Sequence, residues 1–352
     1  MTAEREIYLG AFDVAVPAFR ASQRQAREFL EQNYSGRLGR RALKLMKKIF
    51  EHPSVANRHF ALKDPASLVC EDPDARIARF TEEAVRLGAE ALGGALARAG
   101  ISPSQLTHIV VNTCTGYICP GISTYLIEKM GLSRTIWAFD LAGAGCGGAI
   151  PNLQAARALC PPGGVTASVS VEICSCTFQM GEDISLMLSN ALFADGAAAA
   201  VLWDRPQGFR IGAGAAFYAP EQRESIRFVH KGGQLHNQLS EDLPALVKEA
   251  ARRAVDEALS LAGLGRGDIR HWALHTGGEK IINSVRDAIG LSEEQVAAAR
   301  QVLVDFGNMS SPTVWFVLRR IMDSARVERG DWLMMVAFGA GLSAHALLLR
   351  KI

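Results

Sequence analysis

The chain has 352 residues, 38 basic and 36 acidic side chains, and 49% hydrophobic residues. That length excludes a single small module and is enough to bury a core without disulfides or structural metals. The net charge of +2 argues against a nucleic-acid-binding protein with a broad basic face and leaves any anionic ligand to a local basic cluster.

The N-terminus, MTAEREIYLG, is charged where a secretory signal has its apolar core, and no apolar run is long enough to span a bilayer. Seven cysteines, at 70, 114, 119, 146, 160, 174 and 176, then read as mostly free thiols of a cytoplasmic protein. The first charged feature is Lys44, Lys47 and Lys48 on an early helix, with Arg58 in the following loop. Taken alone these are an ordinary solvated face. Ala95-Leu96-Ala-Arg-Ala99-Gly100, continuing through Leu106-Thr-His108 to Thr113, predicts an amphipathic helix, a glycine stop, a short loop and an apolar strand. The order recurs at an offset of 163, from Ala258 and Leu259 through Gly263 and His271 to Thr276, with six positions identical. In this second copy Leu243, Val247, Ala250, Ala254 and Ala258 share one helical face. A second echo closes each half: Phe193-Ala-Asp-Gly196 leads into AAAAVL, and Phe338-Gly-Ala-Gly341 into LSAHAL. Chance similarity in an Ala/Gly/Leu-rich chain is the alternative. Two echoes in the same order favour a duplicated α/β unit, with halves 1–206 and 207–352 and a cleft where their loops meet.

Three residues stand where chemistry is expected. Cys146 lies in Asp140-Leu-Ala-Gly-Ala-Gly-Cys146-Gly-Gly, between an apolar strand (135–140) and a helical stretch (147–159). Glycines permit the tight turn and leave the sulfur accessible, and the helix dipole favours a thiolate. A buried structural cysteine is the bland alternative. His275 ends the strand His271-Trp-Ala-Leu-His275 before Thr-Gly-Gly278, a position that faces a cleft in α/β folds. Asn308 sits in Asp305-Phe-Gly-Asn308-Met-Ser-Ser-Pro312, which reads as a strand ending in a turn. Ser310 or Ser311 would cap the next helix there. Alone, Asn308 is only a turn residue.

Taken together, Cys in GCGG, His in HTGG, Asn in FGNMSSPTV and the late FGAG turn resemble the type III polyketide synthases, the chalcone synthase-like family of the thiolase superfamily. The block Ser189-Asn-Ala-Leu-Phe193-Ala-Asp-Gly is similar to that family's segment around its active-site phenylalanine. The resemblance spans essentially the whole chain. It implies a thiolase-like duplicated αβαβα layered fold, which agrees with the echoes.

The resemblance implies Cys146 as the acyl-carrying nucleophile, ion-paired with His275. It implies His275 and Asn308 as donors to the malonyl thioester carbonyl, stabilising the enolate left when carbon dioxide departs. Phe193 would orient the malonyl group. Cys114, Cys119, Cys174, Thr177, Asn237 and Ser310 would line the substrate pocket. Lys47, Lys48, Arg58 and Lys280 would meet the phosphates of CoA, although Pro53 stands where plant members carry a lysine. Small side chains at Cys119 and Cys174 imply room for a long acyl tail running past both. Asn237, where a gatekeeper phenylalanine is usual, speaks against an aromatic starter. The partners implied are CoA thioesters and a second copy of the chain, with no cofactor, metal or nucleic acid.

The activity so implied is iterative decarboxylative condensation of malonyl-CoA onto an acyl-CoA starter, a fatty one, then cyclisation to an alkylpyrone or alkylresorcinol-type product. One alternative is a ketoacyl-acyl-carrier-protein synthase III-like single condensation, whose HQAN-like and GNTSAAS-like contexts differ from HTGG and GNMSSPT here. Another is a non-catalytic protein binding a soft metal through Cys174, Cys176, Cys114 and Cys119.

Overall fold

The computed structural model describes residues 5–70, 72–324 and 326–352. The elements of the first half are β1 (Tyr8–Ala15), β2 (Phe19–Ser22), α1 (Gln23–Tyr34), α2 (Arg40–Phe50), β3 (Asn57–Phe60), α3 (Ser67–Cys70), α4 (Pro73–Ala99), β4 (His108–Asn112), α5 (Ile122–Met130), β5 (Trp137–Leu141), α6 (Ala149–Leu159), β6 (Thr166–Ile173), α7 (Ile184–Leu192) and β7 (Asp195–Trp203). The second half contains β8 (Phe209–Tyr218), β9 (Ile226–Lys231), β10 (Gln234–Leu239), α8 (Leu243–Ala262), β11 (Ile269–Leu274), α9 (Glu279–Ile289), α10 (Glu293–Phe306), α11 (Thr313–Ser324), β12 (Trp332–Gly339) and β13 (Ser343–Lys351).

The main sheet runs β11-β12-β13-β8-β1-β7-β6-β4-β5. Its two parts meet only where Tyr8 pairs Arg210 and Leu9 pairs Phe209. The series β1-β7-β6-β4 and β8-β13-β12-β11 agree in direction at every step: antiparallel, antiparallel, then parallel. The internal echo is therefore a repeat of structure. Both copies stop their helix on a left-handed glycine, Gly100 after α4 and Gly263 after α8. Each then makes one 3₁₀ turn and enters a parallel strand, β4 or β11. Residue 206 falls in the turn between β7 and β8.

α4 covers one face of β1, β6 and β7, while α6 packs against strands of both parts, β4 and β6 on one side and β12 and β13 on the other. Strands β6 and β7 are buried along their whole length, as expected of strands covered on both faces. This layering matches the expected fold. It sets the turn before α6 at the junction of the two halves.

One local expectation fails. The residues before Asn308 are helix α10, not a strand. Val302-Leu303-Val304 invites a strand reading, but Val296, Ala299, Val302 and Leu303 fall on one buried helical face, and Ser292 and Gln295 form a capping box that starts it.

Candidate active site

Cys146 sits in a single 3₁₀ turn, Gly145–Gly147, directly ahead of α6. The turn is pressed against the end of β12: a methyl group on Gly145 would lie 3.0 Å from the Ala340 nitrogen, and Gly145 has φ +55. Only glycine accepts both conditions. The packing leaves the sulfur buried rather than openly accessible, with Cys146 9% exposed.

A small pocket surrounds it, about 400 Å³ when its open mouth is counted, and five predicted pocket residues, Cys114, Cys174, Thr177, Asn237 and Ser310, line it together with Phe193. Cys119 does not: it is exposed and lines neither this pocket nor its larger neighbour. Asn308 is tied to Phe193 by a parallel bridge, with Ala194 N donating to Asn308 O (2.9 Å) and Asn308 N donating to Leu192 O (2.8 Å). Its Oδ1 accepts from Ser310 N (2.8 Å). That orients the amide so that Nδ2 is the donor left for a ligand. His275 follows β11, its N donating to Val336 O (2.8 Å) and its ring set edge-on to Phe338 at 5.0 Å.

Ser310 connects Asn308 with Cys146 and Cys114. It is the one described residue other than glycine with positive φ, at 58. That strained conformation places Oγ where it donates to Cys146 Sγ (3.3 Å) and meets Cys114 Sγ (3.4 Å). Neither serine caps α11 with its hydroxyl as expected. Ser311 Oγ instead donates to Glu172 Oε1 (2.7 Å).

Glu172 is a buried hub that sequence reasoning missed. Its Oε2 accepts from Cys114 N (2.9 Å), Thr115 N (3.1 Å), Thr115 Oγ1 (2.9 Å) and Thr113 Oγ1 (3.2 Å). The signal was available: a lone carboxylate inside the apolar strand TASVSVEI. Burial raises its pKa, and the donors oppose that rise.

Burial also governs the proposed pair. It pushes the Cys146 thiol up to about 12, with the Ser310 hydroxyl bond working the other way. It pushes His275 down to about 3. Desolvation thus favours thiol and neutral imidazole, and the ion pair implied by the resemblance has to overcome it. His275 Nδ1 is buried with no partner among the described residues.

The cation set divides. Lys48 and Lys280 are exposed, and Lys47 pairs with Glu31 at 3.6 Å. Arg58 is turned inward and 2% exposed. It donates to Gln23 Oε1, Asn190 O and Phe193 O and lies over the Phe60 ring at 4.9 Å. That inward placement replaces the expected solvent-facing phosphate contact. Cys174 and Cys176 also part company, the first in the pocket and the second donating from Sγ to Arg76 O (3.5 Å).

Beyond Cys174, Thr177, Phe193 and Asn237, which it shares with the Cys146 pocket, lies a second cavity that counts about 1010 Å³ with its mouth. Its walls are largely apolar, with Phe29, Leu30, Phe50, Phe60, Phe178 and Leu186, but Arg20, Arg58 and Asn190 also line it. This second cavity has Cys174 in the wall it shares with the Cys146 pocket, and Cys119 lines neither. Its walls come from α1, α2, β3 and α7, not from the side of Cys119.

Residues 1–213 match the family model of FAE1/type III polyketide synthase-like proteins, and residues 213–352 match the chalcone and stilbene synthase C-terminal domain. The chain belongs to the type III polyketide synthases. It is 30% identical over 320 residues to a 3,5-dihydroxyphenylacetyl-CoA synthase of Streptomyces toyocaensis, covering 87% of this chain and 82% of that one. Among solved structures it is similar to PKS-I of the brown alga Ectocarpus siliculosus, with TM-score 0.89, 27% identity and full coverage of both chains. It shares the fold of 1,3,6,8-tetrahydroxynaphthalene synthase of Streptomyces coelicolor, with TM-score 0.88 at 24% identity over 97% of this chain and 99% of that one. As a type III polyketide synthase the chain is an acyltransferase. No helix among the described residues is long and apolar enough to cross a membrane.

A second buried histidine stands behind Cys146 in this synthase. His345 on β13 is 3% exposed, packs against Gly147, and meets Ser343 Oγ at 3.3 Å. Burial lowers its pKa from 6.5 to about 4. Below pH 6.5 the unfolded chain binds a proton there and the folded chain does not, so stability is lost as pH falls toward 4. The loss is about 2 kcal/mol at pH 5. His345→Gln is therefore expected to reduce the drop in urea stability between pH 7 and pH 5 by that amount. An unchanged difference would remove His345 from the acid response.

Proposed function

We propose that the enzyme holds a fatty acyl starter on Cys146 and extends it with malonyl-CoA. It then cyclises the chain to an alkylpyrone or alkylresorcinol-type product. The observation that supports the starter class is the largely apolar cavity adjoining the Cys146 pocket, rich in phenylalanine and leucine, with the buried Arg58 on its wall occupied by Gln23, Asn190 and Phe193.

In this reading the Cys146 thiol passes its proton to His275 as sulfur attacks the acyl-CoA carbonyl, and CoA thiol leaves. The alkyl tail enters the second cavity. Malonyl-CoA then binds with its thioester oxygen toward His275 and Asn308 Nδ2. Loss of carbon dioxide leaves an enolate that those donors stabilise and that attacks the acyl thioester, freeing Cys146. Phe193 orients the malonyl group, and Lys47, Lys48 and Lys280 supply surface cations for CoA phosphates. We further infer a cytoplasmic homodimer. The edge strand β5, with Trp137 65% exposed, supports a second copy there, and a monomer in sedimentation would remove it.

Purified enzyme with malonyl-CoA and a panel of acyl-CoAs is expected to release carbon dioxide and to yield alkyl products whose yield rises with starter length. Ala26→Trp, filling the cavity wall on α1, is expected to lower the preference for long over short starters at least tenfold while short starters still react. No carbon dioxide overturns the reaction. Products from malonyl-CoA alone, with no incorporation of alkyl starters, overturn the starter class and favour an aromatic product like that named for the Streptomyces toyocaensis relative.

A further inference from the structure

The positive charge of this chain is concentrated in one place. Residues 20–50 hold nine basic side chains against two acidic ones, net +7, which leaves the rest of the chain at −5 within a total of +2. This segment is the hairpin of α1 and α2. On α2 the sorting is clean: Ala42, Met46 and Phe50 are buried, and Arg40, Arg41, Lys44, Lys47 and Lys48 are exposed. Arg27 and Lys47 pair with Glu31 or Glu51. Among the described residues Arg24, Arg40, Arg41, Lys44 and Lys48 have no carboxylate partner.

Helix stability accounts for Lys48, which with Lys47 lies in the last turn of α2, but not for the cations at its start. Arg40 and Arg41 open α2, whose first turn holds no acidic residue. Cations at that end oppose the helix dipole. The hairpin has a second property: Ala26, Phe29, Leu30 and Phe50 wall the apolar cavity, and the exposed Phe19, Arg20 and Gln25 mark where that cavity meets solvent.

We propose that the α1–α2 hairpin docks on an anionic lipid surface, setting the open end of the cavity against the bilayer so that an alkyl tail enters or leaves without crossing water. The proposal rests on the alkyl-starter reading above. A lipid surface answers both features at once, because it neutralises a strongly basic face and receives an alkyl tail from the open end of a largely apolar cavity. An acidic protein answers only the charge.

The binding test itself needs no substrate. The intact enzyme is expected to sediment with phosphatidylcholine vesicles that contain phosphatidylserine, to stay in solution with phosphatidylcholine alone, and to be released by salt. Arg24→Gln/Arg40→Gln/Arg41→Gln is expected to bind phosphatidylserine vesicles about a hundredfold more weakly, from about fivefold per charge. Its melting temperature and its turnover of a short acyl-CoA should match the wild type. Equal binding to both vesicles, no binding to either, or unchanged binding by the triple variant overturns the proposal. Capture of an acidic protein without vesicle binding also overturns it. Vesicle binding by an enzyme that rejects alkyl starters would overturn the starter reading and the tail-transfer role with it, while leaving the docking surface in place.

Discussion

Cys146→Ala is expected to abolish polyketide formation while leaving the fold intact. The side chain is buried in a pocket that already accepts its sulfur, and removing one sulfur there costs about 1–2 kcal/mol of stability. Chemistry loses far more. A thiol that is both nucleophile and leaving group can accept, release and reaccept a growing chain, and alanine can do none of these. The rate of product formation should fall by at least 10⁴-fold, as when a nucleophile is removed from a catalytic set. Decarboxylation of malonyl-CoA should survive at a reduced rate, because His275 and Asn308, the donors proposed to stabilise the enolate, remain. Mass spectrometry of products, run beside carbon dioxide release, separates the two steps. Product at the wild-type rate would remove Cys146 as nucleophile. Equal loss of both activities would place the sulfur in the decarboxylation step as well.

The reach of the sequence follows the range of the interactions. The Cys146 turn was legible because its requirement is local: glycines at 145 and 147 permit a turn pressed on Ala340. The repeat was legible because each half needs the same helix stop and buried strand, and the left-handed Gly100 and Gly263 carry it. The helix before Asn308 was misread because Val302 and Val304 carry a strand propensity that the buried face of α10 overrides. The apolar cavity had no local signature. Its walls come from residues near 20–30, 50–68, 174–193 and 237, and no spacing rule joins them. Ser310 was named as a pocket wall, but its bridge between Cys146 and Cys114 depends on a backbone angle that residue type does not announce.

Arg58→Met is expected to destabilise the enzyme by about 3–5 kcal/mol, lowering the melting temperature by roughly 10 °C. A basic residue beside a lysine-rich helix suggests a surface phosphate contact, but the geometry gives Arg58 other work. Its Nη1 donates to Asn190 O (2.6 Å) and Phe193 O (2.9 Å), and its Nε to Gln23 Oε1 (3.2 Å). Burial lowers its pKa to about 9, and the charge of Asp195 opposes that fall. Methionine keeps the stem and its apolar packing but removes every donor, which leaves the carbonyls of Asn190 and Phe193 unsatisfied in the interior. Phe193 O belongs to the segment that pairs with Asn308, so loss of the guanidinium loosens that proposed oxyanion donor as well. The expected signature is a lower melting temperature and a lower kcat with KM for malonyl-CoA within about twofold of wild type, as for loss of an interaction felt in the transition state. Arg58→Lys should recover only part of the stability, since an ammonium cannot reproduce the fork that spans these acceptors. A phosphate contact would give the opposite pattern: unchanged melting, unchanged kcat and a raised KM that lysine restores.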